Sequence, residues 1–455
     1  MAGQTDVEVL VNPGGPSAVR SDDPAAAGDT VRGDRDLWDE VFASQNLVTA
    51  LKRVERNRGA AGVDGVETHE LRDWCRQHWV TTRAALDAGT YRPSPVRQVM
   101  IPKPDGGQRK LGVPTVLDRL IQQAIAQVLS PVFDPGFVPV SYGFRPGKSA
   151  HDAVKVARLV IEQGYRWVVE VDLDAFFDRV NHDILISRVA RQVKDKRLLK
   201  LIRAYLEAGI MVDGVRQRAG GGTPQGSPLS PLLSNIMLDD FDQEFWGRGH
   251  RFVRYADDIR VFVKSKRAAE RVLEQSTRLL EQRLKLKVNV AKSVIAPAAT
   301  AVLLGYGFYF TSSGVRLRIA PKAWLRAKAR IRALTSRRWS VSMDYRVRRL
   351  NQYVRGWMGY FRLAHTPRKF SDLDEWYRRR LRQIRWKEWK RPRTRVANLR
   401  ALGVRADLAW QWGMSSRGYW RIAKSPILHR ALPISYWQER GVVFFHPAWA
   451  RFRTT

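Results

Sequence analysis

The chain has 455 residues, 44% of them hydrophobic, which is enough to bury a sizeable core spread over two to four structural units. Its 79 Lys and Arg against 44 Asp and Glu leave a formal net charge of +35, far beyond the needs of solubility, so a polyanionic partner is expected. No apolar run reaches the roughly 18 residues that span a bilayer, and the single cysteine, Cys75, excludes an internal disulfide and a cysteine-rich zinc module, so no membrane, no zinc and a reduced, cytoplasmic setting are expected.

Residues 1–34 are rich in Ala, Gly, Asp and Pro, without the basic start and apolar stretch of a secretory signal, and are predicted to form a disordered tail. Helical spacing of Leu37, Val41, Phe42, Leu47, Leu51 and Val54 ends at Arg58-Gly59-Ala60-Ala61-Gly62, which closes a small N-terminal unit, 35–90. Val99 and Ile101 then run into Pro102-Lys103-Pro104-Asp105-Gly106-Gly107, a basic β-hairpin. A helix through Ile121, Ile125, Val128 and Leu129 is expected to stop at Pro131. Another helix spans Ala150 to Ile161, a strand runs from Trp167 to Phe177, and Phe252 to Val263 reads as a second hairpin centred on Ala-Asp-Asp. The mixture defines an α+β class, with the strand-bearing part placed at 91–318.

Beyond Pro321 the pattern turns helical. Val347, Leu350, Val354, Trp357 and Phe361 form one apolar stripe with Arg348, Arg349, Arg355 and Arg362 off it, and Leu373, Trp376, Tyr377, Leu381 and Ile384 repeat the pattern. Pro321 to Arg400 holds 25 Lys/Arg against 5 Asp/Glu, a difference of +20, so the main polyanion-binding surface is expected there. The basic helical region is placed at 319–400, followed by 401–455. Trp386, Trp389 and the run Arg378, Arg379, Arg380 fall off the stripes and are read as RNA contacts, the rings by stacking on bases. Trp357 and Trp376, on the stripes, are read as core.

The acids carry the chemistry. Strand alternation puts Val169, Val171 and Leu173 on one face and Glu170, Asp172 and Asp174 on the other, a crowding of like charge that needs a cation, a basic neighbour or open water. A lone Asp-x-Asp is more often a solvated strand face. Tyr255-Ala256-Asp257-Asp258 alone is likewise weak, since Asp is a common turn residue. Together, a carboxylate on one strand and a pair on a hairpin turn, in a strongly basic chain, match the needs of two-metal phosphoryl transfer, in which hard ions about 3.5–4 Å apart stabilise attacking and leaving oxygens. The sequence Arg145-Pro146-Gly147-Lys148-Ser149 lacks the first Gly of a phosphate loop and is not one.

These residues resemble one family. Tyr255-Ala256-Asp257-Asp258 resembles the catalytic hairpin of reverse transcriptases, and Val171-Asp172-Leu173-Asp174-Ala175-Phe176-Phe177-Asp178 the strand that supplies their first metal ligand. In order along the chain, Gly62-Val63-Asp64-Gly65, the hairpin Ile101 to Arg109, Ser141-Tyr142-Gly143-Phe144-Arg145-Pro146-Gly147-Lys148-Ser149-Ala150-His151, Gly222-Thr223-Pro224-Gln225-Gly226, Leu304-Gly305-Tyr306, Tyr353-Val354-Arg355-Gly356-Trp357 and Ser416-Arg417-Gly418-Tyr419-Trp420 are similar to blocks of the group II intron reverse transcriptase/maturase family.

That resemblance implies a right-hand polymerase of fingers, palm and thumb, with a C-terminal basic helical maturase domain. It implies Asp172, Asp257 and Asp258 as catalytic ligands of two Mg²⁺ ions, with Mn²⁺ as a substitute and the Leu173 carbonyl as an extra ligand. Lys103 and Arg109 would grip the incoming triphosphate. Phe176 would stack under the sugar, with Phe177 as the alternative, and Gln225 would line the nucleotide pocket. The implied partners are group II intron RNA, an RNA template with its DNA primer, dNTPs and target DNA; a homo-oligomer is left open. The expected setting is bacterial in type, beside the nucleoid when target DNA is bound. Relatives often carry a zinc-dependent endonuclease with paired cysteines; this chain, with one cysteine, is expected to lack it. Two alternatives are weighed: a splicing-only RNA-binding maturase, and a related reverse transcriptase recruited to phage defence or diversity generation.

Overall fold

The computed structural model describes residues 36–454 except 103–105, 213–214, 218–221 and 223–225, so the expected tail at 1–34 lies outside the described residues. The chain divides into two compact units between Ala298 and Ala299.

In the first unit, the N-terminal helical pattern resolves into Leu37–Phe42 and Ser44–Asn57, broken where Ala43 turns extended. The basic hairpin is β1 (Val96–Pro102) paired antiparallel with β2 (Gln108–Val113). The sheet is completed by β4 (Ile210–Val212), parallel to β1, and β5 (Val215–Gln217), in the order β2-β1-β4-β5. The helix expected to stop at Pro131 instead runs Val116–Phe133. Pro131 stands in its last turn, where a missing N–H forfeits a single intrahelical bond, so the proline is tolerated. Helix Ala150–Glu162 begins at Ser149, whose side chain accepts from the Asp152 amide as an N-cap.

The second sheet of this unit has the order β6-β7-β3-β8, with β3 (Trp167–Val171) central and paired antiparallel to both β7 (Asp258–Val263) and β8 (Val294–Pro297). β6 (Arg251–Tyr255) and β7 form a tight hairpin. The long helix Ser230–Gly247 is buried along most of its length, its polar Asn235, Asp240 and Asp242 included. Its Phe241 and Phe245 meet Phe252 of β6 edge-on, with ring centroids 6.3 and 6.2 Å apart, and this wall gives the hairpin a rigid backing.

The second unit opens with the three-stranded sheet β11-β10-β9, built from β9 (Val302–Leu303), β10 (Tyr306–Thr311) and β11 (Gly314–Ile319). Helices follow, including Met343–Tyr360 and Pro367–Glu388. The first stripe turns inward as read: Val347, Leu350, Val354 and Phe361 are buried and Trp357 half-buried, while Arg348, Arg349, Arg355 and Arg362 are exposed. Tyr309 donates its hydroxyl to the His365 carbonyl at 2.7 Å, tying the sheet to the helical layer. Among the described residues, no helix is long and apolar enough to cross a membrane.

Candidate active site

Sheet register brings the acids together. The β3–β7 ladder pairs Glu170 with Arg260 and ends at Val171 and Ile259, so Asp172 and Asp258 both adjoin its last pair, and Asp172 lies near enough to raise the Asp258 carboxyl. Asp257 sits one residue away, in the two-residue turn Ala256-Asp257 closed by the Tyr255–Asp258 pair. Beyond Val171 the chain leaves the ladder but is held in place. The Asp172 amide donates to Ser293 Oγ at 3.1 Å, its carbonyl accepts from the Asn289 amide at 2.8 Å, and the Asp174 amide donates to the Lys287 carbonyl at 2.8 Å. The strand expected to reach Phe177 therefore ends at Val171, and a short helix, Phe176–Arg179, takes its place after Ala175 adopts a left-handed conformation.

The electrostatics are those of crowded carboxylates. Burial pushes the Asp258 carboxyl above the ordinary range; Arg260 pulls it back, and Glu170, Asp257 and Asp172 push it up again. Asp172 is likewise raised, by burial first, with Lys292 opposing and Asp257 adding to the rise. Arg260 is shared between Asp258 and Glu170, lying 3.3 Å from the latter. Its approach to Asp258 lacks hydrogen-bond geometry, so the buried Asp258 Oδ1 has no hydrogen-bond partner. Among the described residues, no three His, Cys, Asp or Glu side chains are gathered into a ready metal cage. What the site offers is hard oxygen donors on a pinned turn and strand end, with Asp258 Oδ1 ion-paired to Arg260 rather than hydrogen-bonded, a donor set of the type divalent cations accept.

The other expected residues divide. Arg109 is exposed on β2, opposite Ile101 in the hairpin register. Lys103 and Gln225 lie outside the described residues. The glycines on either side of residues 223–225 are described: a Cβ on Gly222 would lie 2.5 Å from the Phe177 carbonyl, and one on Gly226 would lie 2.9 Å from the Gly112 carbonyl of β2. Leu173 is buried and bridges to Val288.

Phe176 and Phe177, the two alternatives for the ring beneath the sugar, differ in exposure. Phe176 is 3% exposed, a core residue that meets Phe177 edge-on at 5.1 Å, and Phe177 is the half-exposed ring of the pair.

The expected RNA contacts also change. Trp386 and Trp389 are 1% and 6% exposed and pack edge-on against each other with centroids 5.8 Å apart, so they are core and cannot stack on bases. A helix of 22 residues packed on several sides buries more than one stripe, and so Trp386 is inside although off the first stripe. Trp376, expected in the core, is half-buried beneath the Arg332 guanidinium. The surface tryptophans are instead Trp410 and Trp420, 58% and 37% exposed. Arg379 stacks on Trp420 at 3.9 Å and donates to its carbonyl, Arg380 donates to Thr335 Oγ1 at 3.0 Å, and Arg378 is half-buried. The run is thus not three free cations.

Sequence reasoning missed Arg254, Asp242 and Asn235, which lie behind the acidic turn. The available signal was Arg254 following the apolar Phe252 and Val253 directly before the acidic turn.

Two family models match: reverse transcriptase (RNA-dependent DNA polymerase) over residues 101–308, and the group II intron maturase-specific domain over 325–403. Protein YkfC of Escherichia coli (strain K12) is 35% identical over 289 residues, 55% of this chain and 76% of that protein. The group II intron-encoded protein LtrA of Lactococcus lactis subsp. cremoris is 41% identical over 160 residues, 35% of this chain and 26% of LtrA. A 91 kDa protein in the cob intron of Schizosaccharomyces pombe is 36% identical over 159 residues, 35% of this chain and 20% of that protein. The aligned segment thus spans only about a quarter of LtrA. Fold, acids and matches define an RNA-directed DNA polymerase joined to a maturase-specific domain. The chain belongs to the group II intron reverse transcriptase/maturase family. Enzymes of this class work with divalent metal ions, and both domains imply binding to RNA.

Proposed function

We propose that this chain copies RNA into DNA by two-metal nucleotidyl transfer at Asp172, Asp257 and Asp258, and that its second unit binds group II intron RNA to assist splicing and mobility. The observation that carries the reading is the β3–β7 register, whose last pair adjoins both Asp172 and Asp258, with Asp257 on the adjoining turn. Two Mg²⁺ ions held there, with the Leu173 carbonyl as a further ligand, would supply Lewis-acid activation of the attacking and leaving oxygens. Mn²⁺ would substitute.

The chain's own groups do the rest. The primer end of an RNA-templated duplex lies against the acidic turn, and the dNTP is received between the β1–β2 hairpin and the palm. Arg109 and Lys103 neutralise its phosphates, Phe177 lies beneath its sugar and excludes a 2′-hydroxyl, and Gln225 lines the pocket. Intron RNA is met by the exposed Arg348, Arg349 and Arg355, with Arg378 and the Arg379–Trp420 stack presenting cation and ring together. Target DNA is a further polyanion for the same charge excess. In this reading the N-terminal extension is 35–90, the fingers and palm 91–318, the thumb and basic helical region 319–400 and the C-terminal part of the maturase domain 401–455.

The test is DNA synthesis on a primed RNA template over a Mg²⁺ series, comparing the natural protein with the double variant Asp257→Ala, Asp258→Ala. Synthesis abolished in the variant with intron affinity retained is expected. Tight intron binding without synthesis by the natural protein would instead select the splicing-only reading.

A further inference from the structure

We propose that Arg254, Asp242 and Asn235 form a buried positioning unit that fixes the Ala256–Asp257 peptide and thereby sets how tightly the acidic turn holds a divalent cation. The inference rests on the reading of Asp257 and Asp258 as metal ligands.

Arg254 and Asp242 are both 0% exposed, and the Arg254 Nε donates to both Asp242 oxygens at 2.8 Å. Removing two charges from water costs several kcal/mol per ion, and such a pair is often no more stabilising than apolar residues of the same volume. Its reason therefore lies in what the far end of the guanidinium holds. Arg254 Nη1 donates to Asn235 Oδ1 and to the Ala256 carbonyl, each at 2.9 Å. The Ala256 carbonyl belongs to the peptide unit that carries the Asp257 nitrogen, so holding that oxygen fixes the plane from which Asp257 projects.

A second strut presses on the adjoining Tyr255–Ala256 peptide, so that Ala256 is held on both its peptide units. Asn235 Nδ2 donates to the Gly143 carbonyl at 2.9 Å, and Gly143 is pressed so close that a Cβ there would lie 2.1 Å from the Ala256 nitrogen. Flanking backbone bonds secure the strut, from the Tyr142 amide to the Arg254 carbonyl at 2.8 Å and from the Arg254 amide to the Val140 carbonyl at 3.1 Å. Arg145 ties its far end down, donating to Asp134 at 2.6 Å and to the Val138 carbonyl at 2.7 Å. Ala256 needs this grip, because it holds φ at 58°, a left-handed conformation that is unfavourable for a non-glycine residue and persists only where surroundings over-determine it.

Arg254, Asn235 and Gly143 touch no reacting atom and act through the turn. The experiment compares the full chain with Arg254→Lys, Asn235→Ala and Gly143→Ala. It measures Mn²⁺ affinity by electron paramagnetic resonance, the Mg²⁺ dependence of primer extension, intron affinity and thermal melting. Replacing groups that orient metal ligands typically costs roughly 10- to 100-fold in metal affinity. That loss is expected in Mn²⁺ binding, with a matching rise in the Mg²⁺ needed for half-maximal synthesis, partial recovery of rate at high metal and unchanged intron affinity. Should Arg254→Lys fail to fold, the other two variants, which leave the ion pair in place, carry the test. Natural Mn²⁺ affinity in folded Asn235→Ala and Gly143→Ala would overturn the proposal. Mn²⁺ binding that is insensitive to Asp257→Ala would sink the ligand assignment instead, so the two failures are separable.

Discussion

Trp386→Ala separates a core residue from a surface one. Trp386 is 1% exposed, meets Trp389 edge-on and carries the Arg395 guanidinium 4.9 Å above its ring. Arg395 also donates to the Trp389 carbonyl at 3.1 Å, so the three residues close the end of helix Pro367–Glu388 onto the next helix as one cluster. Deleting a buried indole costs about 3–5 kcal/mol, since transfer free energy is lost and a cavity is left. For a unit the size of Ala299–Thr455, 1 kcal/mol lowers the melting temperature by roughly 2–4 °C, so a drop on the order of 6–20 °C is expected in the transition of that unit. Calorimetry reads the transition, and intron binding is then measured at a temperature where the variant is still folded. There its affinity should equal that of the natural protein, whereas Trp420→Ala should weaken binding with little change in melting. A Trp386→Ala protein that melts like the natural one yet binds RNA poorly would refute the burial argument and restore the ring to the surface.

Phe176→Ala should destabilise the first unit by about 3–5 kcal/mol in urea unfolding, because its ring is core. Phe177→Ala should cost far less stability and instead relax discrimination between dNTPs and rNTPs in primer extension; the opposite pattern would exchange their roles. Asp374 accepts from the Phe445 and His446 amides at 2.7 and 2.8 Å, and burial pushes its carboxyl from 3.8 to about 6. Since the folded value is the higher one, the folded state binds this proton more tightly. The resulting stability is present below about pH 4 and is lost as pH rises to about 6. Relative to Asp374→Asn, the natural protein should therefore lose on the order of 3 kcal/mol across that window, and a difference independent of pH would count against it.

What could be read from the sequence was what depends on short-range spacing. The Met343–Tyr360 stripe, the β6–β7 hairpin and the alternation that turns Glu170 and Asp172 away from Val169 and Val171 all follow from residues two to four apart, where period alone assigns the face. The misread residues follow helix ends or second contacts. Pro131 is tolerated because a helix end asks little of it, and Trp386 is covered by a helix beyond its own stripe.

The acidic site shows the same division from the inside. Asp172 and Asp258 are 86 positions apart, and only the antiparallel register brings them to the same end of the ladder, yet each could be picked out because an acid amid apolar strand residues stands out. Arg254 stands out as much by that criterion, one residue before the acidic tetrapeptide, but in a chain of net charge +35 a cation reads as one more surface arginine. Burial inverts its meaning. In water a guanidinium is cheap and interchangeable, whereas fully enclosed it must be matched by Asp242 and must find acceptors for its remaining donors, which ties it to Asn235 and the Ala256 carbonyl. The strictness of those requirements is what makes it suited to hold a turn whose geometry decides metal binding, and it is visible only when the helix Ser230–Gly247 is laid against β6.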